Sequence, residues 1–125
     1  MKKTITIPNA PKPLGPYSQA VVKNDTLYVS GQIPLDPFTN ETHFEDIKTA
    51  TEQVMRNIDA LVQNAGFEME DVVKCSIFLK NLDDFKLVNE IYETYFQDDP
   101  PARETIEVSK LPLDAPVEIS CIAQR

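Results

Sequence analysis

The sequence predicts an α+β sandwich, with two helices covering one face of a mixed β-sheet. Three observations lead there. Two stretches carry apolar residues at steps of three and four, the period of an amphipathic helix. Shorter stretches alternate with period two, as strands do. Their order is β-β-β-α-β-α-β-β, and helices grouped on one side of a sheet satisfy the layer rule for domains.

Thr4–Ile7 alternates and makes a short first strand. The stretch "PNAPKPLGP" follows, and it suits neither helix nor central strand because Pro donates no backbone hydrogen bond. Tyr17–Lys23 and Thr26–Gly31 read as strands joined at Asn24-Asp25, a pair suited to a tight hairpin. A loop rich in Pro, Asp and Asn runs to about His43. Ile47, Ala50, Val54, Ile58, Leu61, Val62 and Ala65 then mark the clearest helix, with Asp46 as its cap and Gly66 as its left-handed stop.

Val72–Leu79 is the next strand. Asp83 or Asp84 caps a second helix, on which Phe85, Val88, Tyr92, Tyr95 and Phe96 share a face. Asp98-Asp99-Pro100-Pro101 ends it, and two strands close the chain near Arg103–Val108 and Val117–Gln124.

At 125 residues the chain predicts one domain, residues 1–125, large enough to bury a core without metals or disulfides. A net charge of −8, with no basic run beyond Lys2-Lys3, disfavours nucleic-acid binding. No apolar run approaches the roughly 20 residues needed to span a bilayer. Prolines interrupt the N-terminal stretch where an export signal would lie, so a cytoplasmic protein is expected. Cys75 and Cys121 fall in apolar strand-like runs and read as buried free thiols. One His and two separated Cys make no zinc site, and three glycines make no phosphate loop, so no metal or cofactor is expected.

Strand parity divides the sheet into two faces. Leu27, Val29, Val73, Cys75, Ile77, Leu79, Ile106, Val108, Val117, Ile119, Cys121 and Ala123 form an apolar set expected under the helices. The other set mixes Tyr28, Phe78 and Ile122 with Ser30, Arg103, Thr105 and Glu118. Large apolar groups on an open face suggest packing against another subunit, with a site at that boundary. Arg103 and Glu118 are the chemically suggestive pair. An Arg fork holds a carboxylate, and a Glu can orient or deprotonate a water. Taken alone, such a pair across adjacent strands is usually a surface salt bridge.

The chain resembles the RidA (YjgF) family of imine deaminases essentially end to end. The resemblance is carried by "GPYSQA" at Gly15–Ala20, "VSGQIP" at Val29–Pro34, "AGF" at Ala65–Phe67, "VNEIYETYF" at Val88–Phe96, "PAR" at Pro101–Arg103 and "VEI" at Val117–Ile119. It implies a chorismate-mutase-like sandwich assembled as a homotrimer, with a site in each subunit cleft. It implies hydrolysis of 2-iminopropanoate and 2-iminobutanoate to 2-oxo acids and ammonia, without a cofactor.

By the same resemblance Arg103 clamps the substrate carboxylate and Glu118 positions the attacking water. Tyr17 lines the pocket; the proton for the departing ammonia comes, on chemical grounds, from either Tyr17 or a bound water. Ser30 and Gly31 bind the substrate, the Gly through its backbone N–H, while Asn89 and Tyr92 border the site. The chain departs from the pattern after the arginine, where Glu104-Thr105 replaces a common Ser-Cys. Imine hydrolysis needs no thiol, because water attacks an already electrophilic carbon, and the backbone of Thr105 can make the same contacts. The alternative is a non-catalytic small-acid-binding regulator or chaperone-like protein of the same fold, which would need the Arg but not the Glu.

Overall fold

Six strands and two helices form in the order that the patterning predicts, in a computed structural model describing residues 1–125. They are β1 (Lys3–Ile5), β2 (Ala20–Lys23), β3 (Thr26–Gln32), α1 (Ile47–Asn64), β4 (Val72–Leu79), α2 (Phe85–Tyr92), β5 (Ala102–Glu107) and β6 (Val117–Gln124). The strands make one sheet in the order β1-β2-β3-β6-β4-β5. All neighbours pair antiparallel except β4 and β5. Parallel strands need a crossover, and α2 supplies it.

Local chemistry sets the element ends. The Asp46 carboxylate accepts the Lys48 N–H and caps α1, and Gly66, at φ 87°, lets the chain leave it. Asn24, at φ 54°, turns the β2–β3 hairpin, with Lys23 opposite Thr26. The apolar stripe of α1 (Val54, Ile58, Leu61, Val62) packs on Leu27, Cys75, Ile77, Val117 and Ile119 from the sheet. Burying each such aliphatic side chain stabilises the fold by about 1.5–3 kcal/mol.

The structure corrects several boundaries. β2 begins at Ala20, so Tyr17 lies in a turn before it, where its N–H bonds the Gly15 carbonyl. α2 stops at Tyr92; Tyr95 and Phe96 lie in the turns beyond, with the Phe96 ring 4.9 Å from that of Tyr92. Neither Asp83 nor Asp84 caps α2 through its side chain. Asn81 instead accepts the Asp83 N–H and starts the short 3-10 turn that leads in.

Two corrections concern the sheet faces. Val73 is 47 % exposed rather than under the helices, because a bulge between Val72 and Lys74 breaks the alternation. The second is larger, because β5 has the opposite phase from the one expected. Arg103 stands in register with Cys75 and Thr105 with Ile77, on the helix-covered face. Ile106 stands beside Phe78 on the open face and is 45 % exposed. Glu118 also pairs with Phe78. Arg103 and Glu118 therefore lie on opposite faces of the sheet in one chain, with β4 between their strands.

Candidate active site

The pre-strand turn, the β3 bulge and β6 meet at a cleft of about 320 Å³. Tyr17, Ser30, Gly31 and Glu118 line it, with Leu14, Ile33 and Pro112 as apolar walls. Glu118 is half-buried and enters none of the five ion pairs of the chain. Burial pushes its carboxyl above the ordinary value of 4.5. A carboxylate made more basic in a concave site is poised to take a proton.

Four local features shape this cleft. A Cβ on residue 31 would lie 2.7 Å from the Glu118 Cδ, so only Gly leaves room for that side chain. The Leu14 N–H donates to the Tyr17 hydroxyl at 3.1 Å, which leaves the phenol proton free for another acceptor. The Ser30 hydroxyl is already committed, donating to the Ser18 carbonyl at 2.6 Å. At the rim, Leu113 and Asp114 adopt φ 55° and 60° directly after Pro112, and Lys80 pairs with Asp114. A left-handed Leu is uncommon and holds only where its surroundings enforce it.

Two buried amides position the walls, and sequence reading missed both. The Gln19 Nε2 lies 3.0–3.2 Å from the carbonyls of Ile7, Ala10 and Pro11, while its Oε1 accepts the Ile7 N–H. This fixes the segment that carries Leu14 and Tyr17. A Pro-rich loop is poor in N–H donors for its own carbonyls, and an adjacent Gln is the available signal. Asn57 on α1 donates to the carbonyls of Ile33 and Leu35 at 3.3 and 3.1 Å, and accepts from Gln53. It ties the helix to the Ile33 wall.

The remaining expected residues gather at a second place. Arg103 and Thr105 project from β5 under α2, near Tyr92. Asn89, on the same helix, is half-buried. The Arg103 guanidinium also enters no ion pair. It lies against the rings of Tyr92 and Phe85. The hydroxyls of Tyr92 and Thr105 are buried without hydrogen-bond partners, and burial pushes the Tyr92 phenol well above its usual range. Glu104 points to the open face, accepting from Ser76 and pairing with Lys74 at 2.9 Å. The expected constellation is thus split: Tyr17, Ser30, Gly31 and Glu118 in the cleft, Arg103, Thr105, Asn89 and Tyr92 elsewhere.

Cys75 and Cys121 face each other across β4 and β6, both buried and both free. Burial raises both thiols, which leaves them poor nucleophiles. No three His, Cys, Asp or Glu side chains converge to hold a metal ion. No helix is long and apolar enough to cross a membrane.

Comparison with known proteins agrees with this architecture. Residues 7–125 match the family model described as Endoribonuclease L-PSP. A RutC family protein of Saccharolobus solfataricus is 50% identical over 125 residues, covering 100% of this chain and 99% of its own length. A protein of Dermatophagoides farinae named 2-iminobutanoate/2-iminopropanoate deaminase is 44% identical, covering 97% of this chain and 94% of its own. The crystal structure of the YjgF gene product from E. coli superposes with a TM-score of 0.94 at 41% identity, covering 98% of each chain. With the sheet order, the Gly31–Glu118 cleft and the unpaired Arg103 in place, the chain belongs to the YjgF/RidA family, whose model carries the L-PSP description.

Proposed function

We propose that the protein is a cofactor-independent imine deaminase, hydrolysing 2-iminopropanoate and 2-iminobutanoate to 2-oxo acids and ammonia. The observation that carries this reading is Glu118. It is an unpaired carboxylate, made more basic by burial, in a cleft that also holds the Tyr17 hydroxyl. The deaminase name of the Dermatophagoides relative supports the substrate class.

The chemistry follows from the groups present. Glu118 draws a proton from water as the water oxygen bonds to the imine carbon. The carbon–nitrogen π electrons move to nitrogen and give a carbinolamine. The proton then returns to the nitrogen, directly or through Tyr17. Ammonia departs as the carbinol O–H passes its proton, through the Glu118 carboxylate, to the leaving nitrogen and the carbonyl forms. Arg103 holds the substrate carboxylate by its fork throughout. The family description names an endoribonuclease, yet a net charge of −8 opposes a phosphate-backbone substrate.

One site can use both Arg103 and Glu118 only if two copies contribute. The two side chains leave opposite faces of the sheet, from strands about 10 Å apart. We therefore assign Tyr17, Ser30, Gly31 and Glu118 to one subunit, and Arg103, Thr105, Asn89 and Tyr92 to its neighbour, in a homotrimer. Tyr28, 49 % exposed on the open face with Ile106 and Val73, offers the apolar surface such packing would bury.

The test couples a threonine dehydratase, which releases the imine, to semicarbazide, which traps what is not hydrolysed. The protein should lower the trapped signal, and no effect would end the deaminase reading. Arg103→Ala and Glu118→Gln should each be inactive. Co-expressed, they should recover about a quarter of wild-type activity, the fraction of subunit boundaries that join one intact Arg to one intact Glu.

A further inference from the structure

The Arg103 guanidinium carbon lies 4.9 Å from the Tyr92 ring centroid and 5.4 Å from that of Phe85. The two rings differ in what else they do. Tyr92 is buried, belongs to the core and packs on Phe96. Phe85, the first residue of α2, is 41 % exposed and lies outside the core cluster. A ring left so open contributes little by burial, yet it is turned toward the cation.

We propose that Phe85 is a positioning residue which, with Tyr92, orients the Arg103 fork for a substrate carboxylate. The proposal rests on the reading of Arg103 as the carboxylate clamp. A free Arg side chain has several rotatable bonds, and ordering them on binding weakens affinity. A guanidinium already held against two rings has lost much of that freedom. An acidic neighbour would order it too, but would occupy the fork and cancel its charge. Aromatic faces attract a cation through their quadrupole and leave its N–H edge open. The chain has no carboxylate paired with Arg103, which fits this division of labour.

The experiment compares Phe85→Leu, which keeps apolar bulk without a π face, with Phe85→Trp, which restores one. Binding of 2-oxobutanoate is measured by calorimetry, KM and kcat by the coupled assay, and Tm by scanning fluorimetry. Phe85→Leu should bind about tenfold more weakly. Its KM should rise by a similar factor with kcat little changed, because the carboxylate is held equally in ground and transition states. Its Tm should stay near wild type, and Phe85→Trp should recover the affinity. Wild-type affinity in Phe85→Leu, beside lost binding in Arg103→Ala, would overturn the role of Phe85 and leave the clamp standing. Affinity lost together with Tm, and not recovered by Trp, would make Phe85 a packing residue and overturn it as well. If Arg103→Ala itself bound 2-oxobutanoate normally, the clamp reading would fall and this proposal with it.

Discussion

Gly31→Ala separates the placement of the Glu118 carboxylate from its presence. An added Cβ would lie 2.7 Å from the Glu118 Cδ and 3.1 Å from its Cγ. Non-bonded carbons settle at about 3.5–4.0 Å, so the carboxylate must retreat by roughly 1 Å. The obstacle is a flexible side chain, and Gly31 has no positive φ, so the backbone accepts Ala. Pushing Glu118 about 30° off its rotamer costs roughly 0.5–1.5 kcal/mol. Replacing Gly stabilises by about 0.4–1 kcal/mol through the unfolded chain. These nearly cancel, and Tm should move by only a few degrees. Catalysis should respond far more, since a misplacement of about 1 Å can cost about a hundredfold, or ~2.7 kcal/mol of barrier. The assay is the semicarbazide competition beside a thermal melt. A Gly31→Ala protein with near-wild-type kcat/KM would refute the idea that Glu118 acts from this position.

Four further outcomes are expected. Burial raises the Glu118 pKa above its ordinary 4.5, so the fold favours the neutral acid and loses stability as pH rises from that value through the raised one. Glu118→Gln should therefore melt higher than wild type at about pH 7 and lose that advantage at about pH 3.5, and an equal shift at both would contradict it. The acid limb of wild-type kcat/KM should likewise lie above the usual carboxylate range. Asn57→Ala strips the Ile33 and Leu35 carbonyls of their donor. It should cost about 2–4 kcal/mol in denaturant unfolding and lower activity through the Ile33 wall; an unchanged midpoint would show that water replaces the amide. Cys75 and Cys121 should resist thiol reagents in the native state, with activity retained, whereas labelling in step with inactivation would mean that β4 and β6 open.

The sequence alone determined the order of elements, the cap at Asp46, the stop at Gly66 and the apolar stripe of α1. Each depends on residues within a few positions of one another, where spacing and backbone preference act directly. Glu118 stood out by its own chemistry, and Tyr17, Ser30 and Gly31 through the family resemblance; the fold brings all four to one cleft. Where Arg103 points is set by strand pairing instead. Alternation fixes the two faces within a strand, but nothing local fixes which face of β5 matches which face of β6. Pairing decides that, through β4: Cys75 meets both Arg103 and Cys121, while Phe78 meets both Ile106 and Glu118. Ile106 looked like a core residue and lies on the open face, and the bulge at Val73 misled in the same way. Gln19 and Asn57 stayed silent in the sequence, and Phe85 read only as part of an apolar helix face, for a related reason. Their roles depend on carbonyls and a cation that only the folded chain brings within reach.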